Sequence, residues 1–342
     1  MARWKGWEKV RLDPHSGRIM SGDTTGGLEA IAPLIISASR STDIPAFYSD
    51  WFMERLRQGY VTWVNPFNGT LQHVSLERAR VLVFWSKNPR PFLPYLRGLA
   101  VEGRQMLVLF TLNDYTTEGL EPGVPSLDER IRTFTKVSSI IGKSRLTWRF
   151  DPILLSDTLT PEGVLERIGK IGDRVYHHTS RLVFSFIDIR KYLSVQRNLD
   201  SHTTRGVREP TSDEEMEIAR GISELNEGWG LEIQACGEEQ DFNRYAIGTG
   251  ACISRQILAR EFPEDRALMD FLFPDPDKKR LKDPGQRKTC GCVPSKDIGH
   301  YGTCMHLCAY CYANSSKDQV RKNFETHMKI RREGLSPPSI VG

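Results

Sequence analysis

No apolar run in the sequence approaches the roughly 18–20 residues that cross a bilayer as a helix, so no membrane-spanning helix is expected. The basic residues of the opening MARWKGWEKVRLDPHSG have no apolar stretch behind them, which argues against a secretory signal and for a cytoplasmic protein. Charge of one sign is also scarce: 47 Lys and Arg against 43 Asp and Glu leave a net charge of +4. So small an excess permits contact with nucleic acid or a small anion without arguing for either. No internal repeat is visible beyond an alternation of strands and helices. Without an export signal, disulfides are not expected. Seven cysteines are nevertheless present, clustered towards the C-terminal end, and that clustering points to metal.

The 342 residues lie between one large domain and two ordinary ones, and 39% hydrophobic with 26% charged residues describes a globular chain with a sizeable core. Residues 1–32 are polar and Gly-rich and read as an arm, docked by Trp4 and Trp7. From residue 33 to about 260 apolar runs alternate with helical patterns. LIISASR is the first buried strand. Pro45 opens a helix closed by Gly59. YVTWVNP and LQHVSLE flank Asn68-Gly69 as a hairpin. ARVLVFWSKNP, RQMLVLFTLNDY, SRLTWRFDPIL, RLVFSFIDIRKY and LEIQACGEE supply further strands, with helices capped by Ser126, Thr160 and Ser212 between them. The polar segment 194–211 lacks periodicity and reads as disorder or a lid. Residues 261–342 hold a charged Pro-rich connector, the cysteines and a basic helix near Lys317–Arg332.

Six strands separated mostly by helices imply a parallel sheet, and such units curl into a full or partial TIM-like barrel. Loops after the strands' C-terminal ends then build the site. Those positions hold Ser39, Arg40 and Asp43; Ser86, Lys87 and Asn88; Asn113 and Asp114; Arg149 and Asp151; Asp188 and Arg190; and Glu238. Ordinary turns are also rich in such residues. Arg149 stands out because it interrupts an apolar run, where an arginine needs a partner or an anionic ligand.

In TCMHLCAYCYAN, Cys304, Cys308 and Cys311 form a Cys-x3-Cys-x2-Cys run. Three such thiolates can ligate three irons of a four-iron, four-sulfur cluster and leave the fourth open. The alternative is zinc with His306 or a distant cysteine as fourth ligand. Cys236, Cys252, Cys290 and Cys292 form a second set. The tight Cys-x-Cys spacing favours a second cluster over zinc there, and Cys236 or Cys252 can also be a plain buried hydrophobe. Between the sets, VPSKDIGHYGT carries Lys296, Asp297, His300 and Tyr301.

The stretches IISASRSTDIPAFY, VFWSKNP, WRFDPI and CGCVPSKDIGHYGTCMHLCAYCYAN resemble the bacterial family known as domain-of-unknown-function family 1848. Its members carry C-terminal cysteines similar to those at the front of radical S-adenosylmethionine (SAM) enzymes, matched here at Cys304, Cys308 and Cys311. The YCYA ending also resembles spore photoproduct lyase over that short stretch. The triplet follows all the strands, whereas radical SAM enzymes carry it after the first, so the resemblance implies a permuted arrangement; no Gly-Gly-Glu stretch stands at the usual place. It further implies a four-iron cluster, SAM as cofactor, reductive cleavage to a 5'-deoxyadenosyl radical, and an electron donor such as flavodoxin or ferredoxin. Arg40, Lys87, Asn113, Arg149 and Asp151 are the expected cofactor or substrate contacts. Nucleic-acid repair of the photoproduct-lyase kind, and a non-catalytic zinc or iron–sulfur sensor, are the other two readings.

Overall fold

The computed structural model describes residues 6–20, 26–202, 206–274, 281, 283, 286, 287 and 289–341. Glu8–Leu12 (β1) and Leu28–Ala32 (β2) pair antiparallel, so the segment expected to be an arm contributes two strands to a sheet. Trp7 stacks on Phe271, ring centroids 5.5 Å apart, and Trp4 lies outside the described residues. Ile35–Ala38 (β3) is buried throughout. Two helices follow where one was expected, Ile44–Phe47 (α1) and Ser49–Gln58 (α2). The chain breaks at Tyr48, whose hydroxyl donates to the Thr303 carbonyl at 2.7 Å. Gly59, at φ +82°, ends α2 in the left-handed conformation that a glycine adopts without steric cost.

Tyr60–Val64 (β4) and Leu71–Ser75 (β5) form the expected hairpin around Asn68-Gly69. It pairs through β5 with β2, giving a four-stranded sheet in the order β1-β2-β5-β4. Val81–Ser86 (β6), Leu93–Val101 (α3), Gln105–Thr111 (β7), Leu127–Ile141 (α4), Leu146–Ile153 (β8), Pro161–Val175 (α5) and Arg181–Phe186 (β9) then alternate. Ser126 and Thr160 cap α4 and α5 as expected, accepting from the N–H groups of Glu129 and Gly163. Within the stretch read as disorder or a lid, Leu193–Asp200 (α6) is a helix, buried at Val195 and Leu199. Ser212–Asn226 (α7) is capped one residue earlier than expected, by Thr211 and Glu214 in a capping box. Glu232–Ala235 (β10), Gly248–Thr249 (β11), Arg255–Glu261 (α8), Arg266–Leu272 (α9), Lys296–Asp297 (β12) and Lys317–Arg332 (α10) follow. Among the described residues no helix is long and apolar enough to cross a membrane.

The main sheet has eight strands, all parallel, in the order β12-β3-β6-β7-β8-β9-β10-β11. Neighbours follow chain order except β12, which returns from the C-terminal segment to lie beside β3. A wholly parallel sheet needs both faces covered, and alternation of side chains divides the covering between two cores. On one face Leu146, Trp148 and Phe150 of β8 pack with α2, α3, α4, α5 and α7. On the other, Val81, Val83, Leu107 and Leu109 pack with α8, α9, Cys252, Cys290 and Cys292. The division expected at residues 260 and 261 falls in the last turn of α8, which shares this second core with α9.

Candidate functional site

The C-terminal ends of β3, β6, β7 and β8 converge on the cysteine loop. Asp43, 5% exposed, follows β3 and accepts from Ser86 Oγ (2.7 Å) and the Lys87 N–H (2.8 Å) at the end of β6. Its second carboxylate oxygen also lies 2.7 Å from His306 Nε2, between Cys304 and Cys308. The other ring nitrogen, Nδ1, lies 3.0 Å from the Gly123 carbonyl. Both nitrogens of His306 are thus engaged by protein acceptors. The histidine is a tie between the loop and the strand ends, which disfavours it as a fourth zinc ligand.

Gly123 N–H donates back to the His306 carbonyl at 3.0 Å, so the loop between β7 and α4 runs alongside the cysteine loop. A Cβ at Gly123 would meet the Met305 carbonyl oxygen at 2.3 Å, and only glycine allows that approach. Ala309 N–H donates to the Leu120 carbonyl at 2.9 Å. Inside the loop Leu307 takes a left-handed φ of +53°, turning the chain between the first two cysteines. From the other side α6 covers the loop, with Ser194 Oγ on the Tyr312 carbonyl (3.2 Å) and Asn198 Nδ2 on the Asn314 carbonyl (2.8 Å).

Beneath the loop lies a buried charge network. Lys87 Nζ pairs with Glu121 Oε1 at 2.8 Å and sits 5.5 Å above the Tyr310 ring. Tyr310 donates its hydroxyl to Glu121 and accepts from Asn113 Nδ2 at 3.4 Å. Burial works to raise the Glu121 carboxyl, but Lys87 and Arg130 outweigh it and hold it below its usual value. Burial also pushes the thiols of Cys304, Cys308 and Cys311 up, with Lys87 pulling the last two back down. Buried thiols of this kind ionise only when a cation takes the place of their protons. Three of them within electrostatic reach of one another, and without a hydrogen bond between them among the described residues, suit three corners of a cluster.

Of the expected contact residues, Asn113 exchanges two 2.9 Å bonds with the backbone of Asp151, one each way, and so fastens β8 to the loop rather than presenting a free amide. Lys87 is engaged by Glu121. Arg149 pairs with Asp151 at 2.5 Å and lies 4.7 Å from the Trp85 ring, while its buried Nε has no partner. Arg40 lies 5.3 Å from the same ring. Its carbonyl accepts from Tyr312 at 3.1 Å, and its guanidinium turns away to Asp283 (3.2 Å) and Ser295 Oγ (3.0 Å). Asp297 accepts from Ser39 Oγ (2.8 Å) and the Arg40 N–H (2.5 Å), tying β12 to the end of β3. Glu238, another strand-end residue, accepts from the Phe186 N–H at 2.9 Å, and burial pushes its carboxyl up to about 7. His300 is turned to its neighbour's backbone, Nδ1 lying 2.7 Å from the Tyr301 carbonyl.

Glu121 and Arg181 were not singled out from the sequence. Glu121 sits in GLEPG, which carries only turn signals. Arg181 opens β9 as a charged residue in a buried run, the feature that drew attention to Arg149. Its guanidinium donates to the carbonyls of Ala251 and Cys252, both at 3.1 Å.

The second cysteine set lies on the opposite face of the sheet, where Cys236 Sγ and Cys252 Sγ are 3.3 Å apart. Cys252, Cys290 and Cys292 pack in one core, with Cys236 against it. Among the described residues no group of three or more His, Cys, Asp or Glu stands in metal-binding geometry.

The molecule is therefore an α/β protein on an eight-stranded parallel sheet, with a half-buried cysteine loop docked on its strand ends. It belongs to the family described as domain of unknown function (DUF1848), which matches residues 35–313, from the start of β3 to just past Cys311. Among curated proteins none matches the chain. A solved structure of a mutant O-GlcNAc hydrolase from Thermobaculum terrenum is similar at 12% identity and a TM-score of 0.31. The match covers 75% of this chain and 66% of that one, just under two thirds.

Proposed function

We propose that the chain is an iron–sulfur enzyme of the radical SAM type, with Cys304, Cys308 and Cys311 holding a four-iron cluster whose fourth iron takes no ligand from the protein. The observation that carries this reading is the Asp43–His306 bond: it docks the loop on the strand ends and removes the loop's histidine from the ligand set. When bound, such a cluster supplies reductive cleavage of SAM to methionine and a 5'-deoxyadenosyl radical that takes hydrogen from a substrate.

The chain's own residues bind, orient and exclude water. Lys87 and Glu121 set the charge beneath the thiols, and Tyr310 and Asn113 fix the loop's distance from β7 and β8. Arg149, with its unpartnered Nε, offers a donor to an anionic group of SAM or substrate, and Asp151 holds that guanidinium in place. We read the parallel sheet as a partial barrel that the C-terminal segment fills. Gly291 N–H to the Gly250 carbonyl (3.3 Å) and Val293 N–H to the Ile253 carbonyl (3.1 Å) support this by linking the chain after β11 to the chain before β12. The cluster motif would then stand after the barrel instead of after its first strand.

Anaerobic reconstitution with iron and sulfide, followed by reduction in the presence of SAM, tests the proposal. Release of 5'-deoxyadenosine by the native chain and its loss in Cys308→Ala is the expected result. A reconstituted, reduced cluster that leaves SAM intact contradicts it.

A further inference from the structure

The two cysteine sets differ in one geometric respect. The triplet's sulfurs make no hydrogen bond to one another among the described residues, whereas the other four cysteines gather in one core: Cys252, Cys290 and Cys292 pack together with Cys236 against them, and Cys236 Sγ touches Cys252 Sγ. Four ligands of a four-iron cube each bind a different iron, and the cube between them keeps their sulfurs well out of contact. Four ligands of one zinc ion sit at about 2.3 Å from it, which places tetrahedral sulfurs about 3.8 Å apart. The 3.3 Å between Cys236 and Cys252 is close to that spacing, needing an opening of about half an ångström to admit the ion.

The backbone is built to bring these sulfurs together. A Cβ at Gly250 would meet the Ala235 carbonyl oxygen and Cys236 Cα, each at 2.6 Å, so only glycine lets the Cys252 segment lie against the end of β10. Ile253 N–H points at Cys292 Sγ, 3.4 Å away, the kind of bond that supports a thiolate ligand. Three arginines, Arg181 buried and Arg40 and Arg149 half-buried, lie within electrostatic reach of these cysteines. Arg149 and Arg181 each act on Cys236, Cys252 and Cys292, and Arg40 acts on Cys292. Four thiolates around a dication carry a charge of −2, and these cations offset it.

We infer that Cys236, Cys252, Cys290 and Cys292 form a closed, four-coordinate zinc site that clamps the C-terminal segment to the end of β10. This contrasts with the second cluster that the Cys-x-Cys spacing favours. The tightness of that spacing fits ligands of one ion, because Gly291 between them carries no side chain. Zinc binding releases the thiol protons and joins residues from three separated segments, so it stabilises the fold without supplying an open coordination position. The inference does not rest on the proposed activity, since these four cysteines share no ligand with the triplet.

The test uses the full chain carrying Cys304→Ala, Cys308→Ala and Cys311→Ala together, which leaves only the second set. Incubated anaerobically with zinc, then with iron and sulfide, it is expected to keep about one zinc per chain, with a zinc-edge spectrum of four sulfurs at about 2.3 Å. Adding Cys290→Ala and Cys292→Ala abolishes the retained zinc. Uptake of iron and sulfide in equal amounts by the triple variant overturns the inference in favour of a second cluster, and binding of neither metal overturns it in favour of packed thiols. Should the triple variant fail to fold, the zinc edge of the reconstituted native chain reads the same site: a four-sulfur zinc shell supports the inference, and absence of zinc contradicts it.

Discussion

His306 and Asp43, 263 residues apart in the chain, meet at 2.7 Å in the interior, 2% and 5% exposed at their side chains. This contact joins the backbone bonds at Gly123 and Ala309 in holding a loop from the C-terminal end over the strand ends at the start of the main sheet. Four hydrogen bonds to Asp43, from Ser86, Lys87, Ala46 and His306, make it the point where β3, β6, α1 and the cysteine loop join.

Replacing His306 by Ala leaves the buried Asp43 carboxylate short of a partner. Breaking a buried pair in this way costs about 3–5 kcal/mol, and Asp43→Asn is also destabilising, because its NH2 has to face either the Ala46 or the Lys87 N–H. Urea unfolding measures both, with the midpoint moving and the slope unchanged. If His306→Ala leaves the midpoint where it was, the tie is not holding the loop.

Lys87 and Glu121 are one unit, and the effects of changing them do not add. Lys87→Met alone strands Glu121 beneath the loop and removes the cation that draws the Cys308 and Cys311 thiols down. Adding Glu121→Gln relieves the stranded charge. A double-mutant cycle on unfolding free energy is expected to give a coupling of about 0.5–3 kcal/mol, and a value of zero would show that the two side chains do not interact.

Gly123→Ala tests the close approach of the two loops. Its Cβ would lie 2.3 Å from the Met305 carbonyl oxygen and 2.8 Å from His306 Cα, so backbone has to move. A stability loss of about 1–3 kcal/mol is expected, together with lower iron content after reconstitution. Gly98→Ala, at a helical position with nothing within 4 Å, is the control: it leaves iron content unchanged and raises stability by about 0.5–1 kcal/mol, Ala being the better helix former.

Lys296 gives a pH dependence. Burial brings its ammonium down to about 8 from 10.5, against the pull of Asp297. The Trp63 ring, 3.3 Å from Nζ, also favours the charged form. The folded chain therefore releases this proton more readily than the unfolded chain. Stability is lowest with respect to this group below about pH 8 and rises by about 1–3 kcal/mol as the pH passes towards 10.5. Lys296→Met flattens that part of the profile; an unchanged slope in the variant would assign the dependence to other groups.

Most of the strands legible from sequence are largely buried, while the half-exposed hairpin of β4 and β5 was legible through Asn68-Gly69 and its alternation. β3, β6, β7, β8 and β9 are continuous apolar runs because helices or the second core cover both their faces. β1 and β2 were read as an arm because EKVRL and LEAIA are half-exposed and find their order only through β5, more than forty residues on. β11 and β12, two residues each, are too short to leave a pattern. α6 was missed because only Val195 and Leu199 face inward, too few to show a helical period. In the candidate site, Arg149 was visible as a charge inside an apolar run, and Cys304, Cys308 and Cys311 by spacing. The engagement of Asn113 and Lys87 with protein partners depends on Asp151 and Glu121, whose positions only the fold supplies. Contact among Cys236, Cys252, Cys290 and Cys292 is likewise a property of how Gly250 and Gly291 let backbone approach.

The most direct measurement of the central claim is the electron paramagnetic resonance spectrum of the reconstituted, reduced native chain, recorded with and without SAM. The account predicts a four-iron cluster signal that changes when SAM is added, because one iron is free to bind it, and loss of that signal in Cys308→Ala. A signal indifferent to SAM, or one that survives the loss of Cys308, would contradict the assignment of an open iron to the loop that Asp43 and His306 hold in place.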